Sequence, residues 1–205
     1  MVRKCLNIWV ENAMAYIDPK NFHLEKRKES LVIRSAVPDD AQEIFHLKNR
    51  VIDELVCLLL EPGEEKLSLE EKKDYIKSHA LNDCAIFLVA EIENKIVGTL
   101  EFTGGWAKRI RHTGQLEILI DLPWRSHGIG KKLLETLFDW LESHPYIELI
   151  SIKTHATNDK AIEFYKKNGF KIDGIVQKGL KYGPHHYVDT VLMSKFLSEK
   201  INTEI

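Results

Sequence analysis

Cysteine is scarce: Cys5, Cys57 and Cys84 are the three in 205 residues. An odd count with no Cys-x-x-Cys pair excludes a disulfide framework and a zinc knuckle. Scattered thiols suit a reducing compartment. With 6 prolines and 11 glycines, the chain is neither collagen-like nor of low complexity. Charge of one sign is lacking as well, since 29 Lys and Arg against 31 Asp and Glu leave a net −2. No overall field draws such a chain onto nucleic acid or an anionic membrane. Apolar runs such as Val56–Leu60 are far too short to span a bilayer. The first residues show no charged segment leading into a long apolar stretch and a cleavage site. These absences predict a soluble cytoplasmic protein without a metal, a nucleic-acid partner or a membrane partner.

What is present is enough apolar material for a core: 44% hydrophobic residues and 29% charged ones, in a length that suits one domain with an appendage. Residues 1–30 read as an N-terminal extension. Asp18-Pro19 breaks it, and an arm, a packed helix and an added strand are all compatible with it. Residues 31–196 read as the domain and 197–205 as a polar tail.

Leu31–Arg34 reads as a strand. Pro38-Asp39-Asp40 opens a helix with Ile44, Leu47, Val51 and Leu55 on one face. Glu61–Glu65 is a break, and Ser68 with Glu71 forms a capping box for a helix reaching Ala80. Cys84–Glu91 and Ile96–Thr103 flank the turn Glu93-Asn94-Lys95 as a hairpin. Leu116–Ile120 is a strand. Gly128–Ser143 is a helix by the spacing of Ile129, Leu133, Leu134, Leu137, Phe138 and Leu141. Ile147–Lys153 is a strand, Asn158–Asn168 a helix ended by Gly169, and Phe170–Gln177 and Tyr187–Met193 close the chain. Three successive strands argue against a doubly wound sheet, and one βαβ unit demands a right-handed parallel crossover. The fold class is therefore α/β (α+β): a mixed, mostly antiparallel sheet with helices on both faces.

The stretch from Ile118 to Gly130 carries chemistry. A strand runs into a turn ending in Arg125-Ser126-His127-Gly128-Ile129-Gly130, then into a helix. Glycines allow close backbone approach, and first-turn N–H groups of a helix lack intrahelical partners. With the helix dipole they make an anion site, to which Arg125, His127, Lys131 and Lys132 add positive charge. A pyrophosphate fits that description. The pattern is neither the dinucleotide fingerprint nor a Walker A loop. Downstream, Asn158 caps a helix, Tyr165 follows two turns later, and Gly169-Phe170 begins a strand.

In this order and spacing the two segments resemble the GNAT superfamily of acetyl-CoA-dependent N-acetyltransferases, over about residues 31–196. The resemblance implies that acetyl-CoA is the cosubstrate. Ile118, Leu119 and Ile120 would offer backbone groups to its acetyl and pantetheine arm. Arg125, Ser126, His127, Gly128, Ile129 and Gly130 would wrap its pyrophosphate. Asn158 would touch the pantetheine or the thioester end, and Tyr165 would face the sulfur. An amine acceptor, a primary amine, would be the second substrate, and a homodimer is in keeping with the family.

The chemistry of such a transfer agrees. An alkyl amine of pKa ~10.4 must lose a proton before it attacks. A strand N–H, that of Leu119, can meet the developing oxyanion. A thiolate of pKa ~8.5 can take a proton from Tyr165, provided the site brings the tyrosine's pKa of ~10 closer to it. Where some members of the family place a glutamate five residues before the asparagine, this chain has Lys153. Glu117, a water chain, and His112 or His155 are the candidates for base, and Glu117 could instead be salt-bridged to Arg111 or Lys153. That departure keeps a second reading open, an acyl-CoA-binding module without catalysis.

Gly104–Gln115 reads as a long basic hairpin loop, either a wall of the acceptor pocket, a dimer contact or a solvated loop. The acidic break at Glu61–Glu65 suits a cationic acceptor if it borders the site. His185 and His186 point to opposite faces of a strand, which disfavours a shared metal.

Overall fold

The computed structural model of the chain describes residues 15–25, 27–54 and 60–197. Its elements are β1 (Lys20–Leu24), β2 (Glu29–Ser35), α1 (Ala41–Asp53), α2 (Leu69–Ala80), β3 (Ala85–Ile92), β4 (Lys95–Gly104), β5 (Thr113–Ile120), α3 (Ile129–Glu142), β6 (Leu149–His155), α4 (Asp159–Lys167), β7 (Lys171–Lys181) and β8 (Tyr187–Phe196). Short 3-10 turns at Pro38–Asp40 and Leu122–Trp124 lead into α1 and toward α3. The eight strands form one sheet in the order β1-β2-β3-β4-β5-β6-β8-β7. Every neighbouring pair is antiparallel except β5 and β6. The expected mixed sheet with helices on both faces is what the chain forms.

Local chemistry explains the elements. Ser68 Oγ accepts from Glu71 N while the Glu71 carboxylate accepts from Ser68 N, the reciprocal cap read at the start of α2. Glu93 and Asn94 both adopt positive φ, +50° and +60°, so β3 and β4 close through a two-residue turn whose twist matches the strands. Gly169, at φ +88°, ends α4.

The sheet divides two cores. On one face α3 buries Ile129, Leu133, Leu134, Leu137 and Leu141 against Ile86, Leu88, Leu100, Phe102 and Ile150. On the other face α1 and α2 bury Ala41, Ile44, Leu47, Val51 and Ile76 against Phe87, Val89 and Leu119. Part of the region expected to be an extension pairs as β1 along β2, from Lys20 opposite Ile33 to Leu24 opposite Glu29. Cys5 and Cys57 lie outside the described residues, as does the tail beyond Leu197. Among the described residues, no helix is long and apolar enough to cross a membrane, and no group of three or more His, Cys, Asp or Glu could hold a metal ion.

Candidate functional site

β5 pairs with β4 along its whole length, from Gly98 opposite Ile120 to Gly104 opposite Gly114. Its parallel pairing with β6 covers only Thr113–Gln115 against Leu149–Ser151. β6 stays paired to β8 as far as His155 opposite Thr190, and so diverges from β5. The sheet therefore opens between Leu116–Ile120 and the second half of β6. The amide of Asp121 donates to Val97 on β4 at 3.0 Å. By the alternation of an antiparallel ladder, the N–H of Leu119 also points toward β4, and those of Ile118 and Ile120 point into the opening. This redirects the reading that gave the oxyanion to the Leu119 amide.

At the mouth of the opening stands the turn before α3. Ser126 (φ +64°) and Gly128 (φ +91°) both adopt left-handed backbone, a curl that aims successive N–H groups inward and suits an anion. A Cβ built on Gly128 would meet nothing within 4 Å. The first intrahelical bond of α3 runs from Lys132 N to Gly128 O, so the amides of Ile129, Gly130 and Lys131 lack helical acceptors. His127 Nδ1 is shielded from solvent and without a hydrogen-bond partner, the kind of orphaned polar atom that a ligand resolves. Arg125 behaves differently. Its Nε donates to the Ile120 carbonyl at 2.8 Å, and its two terminal nitrogens grip Glu54 at 2.6 and 3.0 Å. Arg50 and Asp121 form a second bridge at 2.7 Å. The end of α1 is thus tied to the turn by two ion pairs. Lys132 is engaged with Glu135 at 2.8 Å.

Across the opening, Asn158 Oδ1 caps α4 by accepting from Ala161 N at 3.2 Å. Tyr165 is buried, its ring at 5.2 Å from that of Phe164 and 5.3 Å from that of Phe170. Burial, and then the charge of Glu117, push its phenol above the ordinary tyrosine value. The expected approach toward a thiol pKa is therefore absent; the hydroxyl is held protonated.

The face under α1 and α2 carries a pair of carboxylates. Glu101 on β4 lies directly opposite Glu117 on β5. Like charges in that position are destabilising unless something compensates. Tyr75 donates its hydroxyl to Glu101, and His79 Nε2 lies 3.6 Å from the same carboxylate and 3.2 Å from Thr103 Oγ1. Burial alone would raise Glu101, but the bonds from His79 and Tyr75 outweigh it and hold its pKa down. Among the described residues, Glu117 has no such hydrogen-bond partners. Enclosure by protein, then the charge of Glu101, raise it. Yet the residue stays exposed at the surface. The alternative partner Arg111 sits over the Tyr146 ring at 3.6 Å instead. Glu65 does not face solvent as an acidic loop residue would. It is clamped by Lys48 at 2.6 Å and by buried Lys72 at 3.7 Å. Lys72 has its own pKa lowered by burial and by Lys48. Burial and His186 lower the pKa of His155, whose Nδ1 lies 2.7 Å from Thr157 Oγ1.

Sequence reasoning did not single out Tyr75, His79, Glu101, Lys48 or Lys72. The available signals were the alternation of β4, which places Glu101, Thr103 and Thr99 on one face, and the i, i+4 spacing of Tyr75 and His79.

The chain belongs to the acetyltransferase (GNAT) family, whose sequence profile matches residues 50–170. A GNAT-family acetyltransferase from Streptococcus pneumoniae is 31% identical and superposes with a TM-score of 0.77, over 82% of this chain and 99% of that one. The L-amino acid N-acetyltransferase AaaT of Escherichia coli is 29% identical over 109 residues, 53% of this chain and 66% of that protein. The chain thus spans just under two thirds of that relative's length. The fold is shared with yncA of Salmonella typhimurium, solved with its cofactor acetyl-CoA, at 19% identity and a TM-score of 0.73 over 85% of this chain and 98% of that one.

Proposed function

We propose that this protein is an N-acetyltransferase that moves the acetyl group of acetyl-CoA to a primary amine by direct attack. The observation that carries the reading is the opening between β5 and β6, with a left-handed backbone cradle at one end and a carboxylate pair on one face. The cradle fits a pyrophosphate: it offers main-chain amides, the orphaned Nδ1 of His127, and a glycine with open space where a side chain would stand. Bound there, acetyl-CoA would supply an activated acetyl thioester.

The residues then divide the work. The turn Ser126–Gly130 would hold the phosphates. Arg125 would act indirectly, fixing the turn to α1 through Glu54 and to β5 through Ile120. Ile118 and Ile120 would lend inward amides, that of Ile118 donating to the thioester carbonyl as charge develops on its oxygen. Asn158 would set the start of α4 and, with it, Tyr165. Tyr165, kept protonated, would donate its hydrogen to the departing sulfur. Glu117, with its raised pKa and exposed position, would take the proton that the ammonium must lose before its nitrogen attacks. Glu101 would stay ionised, so the two carboxylates hold different protonation roles set by their surroundings. Holding amine and thioester in contact would supply much of the remaining acceleration.

Thiol release from acetyl-CoA, measured against a panel of small amines, amino acids and peptides, tests the proposal. Turnover with any acceptor supports it. Tight acetyl-CoA binding without turnover across the panel would instead identify a catalytically silent acyl-CoA-binding module.

A further inference from the structure

β1 runs beside α3 in the opposite direction. Lys20 bridges Asp139, Lys132 Nζ lies over the Phe22 ring at 5.2 Å, and Arg27 reaches Pro123 and Trp124. These contacts fall in order, so the arm passes the first turn of α3 and ends beside the turn that precedes it. The connection from β1 to β2 is closed by the amides of Arg27 and Lys28, which donate to the Leu24 carbonyl at 3.1 and 2.8 Å. Leu24 is itself buried in the core under α3. The position of Arg27 is thus fixed from within.

Arg27 is exposed. Its guanidinium lies 4.2 Å over the Trp124 ring, and Nη1 donates to the Pro123 carbonyl at 3.3 Å. The face of the group is engaged, and edge N–H groups remain for an anion. Among the described residues, Arg27 is paired with no carboxylate. The other cations around the turn are spent: Arg125 on Glu54, Arg50 on Asp121 and Lys132 on Glu135. Lys131 also approaches Glu135, at 3.7 Å. Pro123 stands three residues before Ser126, where the anion cradle begins, at most ~11 Å along the chain. An arginine held still, with its charge uncompensated, therefore flanks a main-chain anion site.

Acetyl-CoA carries two phosphate centres, a diphosphate and a 3′-phosphate on the other side of the ribose. The curled amides suit the first. The second is a dianion in need of a cation, and a guanidinium edge matches phosphate oxygens. We infer that Arg27 binds the 3′-phosphate of the ligand whose diphosphate lies in the cradle, so that the turn between β1 and β2 forms part of the donor site. This rests on the proposed use of acetyl-CoA and names a specificity determinant within it. Arg27 separates the coenzyme from its dephospho form.

The test is calorimetric titration of coenzyme A and of 3′-dephospho-coenzyme A into the wild-type protein, Arg27→Met and Arg27→Lys. Arg27→Met keeps an unbranched apolar stem over Trp124 and drops the charge, with a melting curve to check its fold. The wild-type protein should bind coenzyme A at least roughly tenfold more tightly than the dephospho form, the scale of one charged hydrogen bond. Added salt should shrink that preference. Arg27→Met should lose it by weakening coenzyme A alone, and Arg27→Lys should keep part of it. Equal losses for both ligands in Arg27→Met would reduce Arg27 to a prop for Trp124 and overturn the inference. A preference that survives Arg27→Met, or equal binding of the two ligands by the wild-type protein, would overturn it as well and leave the donor site standing. Failure of both ligands to bind the wild-type protein would remove the donor site itself, and the inference with it.

Discussion

Glu101 and Glu117 face each other across adjacent antiparallel strands, and their surroundings drive their acidities in opposite directions. Glu101 is stabilised as an anion by Tyr75 and His79, and its charge then burdens Glu117. A base of ordinary carboxylate strength, pKa ~4.3, is a poor proton acceptor at neutral pH. The pair raises Glu117 toward that task.

The pH dependence follows with its sign. In the proposed role of base Glu117 must be ionised, and its pKa in the folded protein is raised. The value of kcat/KM should therefore fall as pH drops through a point above the usual carboxylate range. Glu101→Gln removes the opposing charge and should move that acidic limb to lower pH. Glu117→Gln should cost roughly 10²–10⁴-fold in kcat. An acidic limb that does not move in Glu101→Gln would dissociate the two residues.

Tyr165→Phe should leave acetyl-CoA affinity near that of the wild type and slow turnover by roughly 10²–10⁴-fold. Because burial keeps the hydroxyl protonated, no alkaline limb from this group should appear in the working range. Stopped-flow and equilibrium titration separate the two quantities. A variant with normal turnover would remove Tyr165 from the chemistry.

Gly128→Ala tests the cradle through the backbone. Nothing stands within 4 Å of the added carbon, but φ is +91°. The cost is therefore conformational, about 1–2 kcal/mol for a left-handed alanine, or a few degrees in Tm for a chain of this size. Coenzyme A affinity should fall along with it. Gly114→Ala differs in kind, since its carbon would lie 2.0 Å from the Phe102 ring. It should destabilise by about 1–3 kcal/mol, read as a lower denaturation midpoint.

Arg125→Ala and Glu54→Ala should weaken coenzyme A binding to a similar degree. The double variant should be little worse than either, because each removes the same tie between α1 and the turn. Arg125→Lys should restore little, since an ammonium cannot reproduce the bidentate contact. Additive losses would mean that Arg125 meets the phosphates directly.

Periodicity and caps were enough to read the sheet, the crossover and the positions of α1 to α4 from the chain. Strand ends shifted where pairing, rather than side-chain pattern, decides them: β6 runs to His155 because β8 keeps it company. The sequence leaves residues 1–30 open between an arm, a packed helix and an added strand, and Lys20–Leu24 forms an edge strand because β2 offers it a free ladder. The turn at Arg125–Gly130 was legible through its glycines. The engagement of Arg125 with Glu54 was not, because the two are 71 residues apart and no local pattern links them. Glu101 was hidden for a similar reason. A lone acid in an apolar strand acquires meaning only from what the next strand and α2 set beside it. The direction of the Leu119 amide depends on ladder parity, which a single strand does not reveal.

The parting of β5 from β6 also bears on how this molecule could change its trade. The amides that β5 turns into that gap belong to the backbone, whose chemistry is the same for any side chain mounted on it. If the proposed transfer holds, mutation along the acidic floor would replace the clientele while the docking berth of the donor persists, leaving donor and recipient free to drift independently.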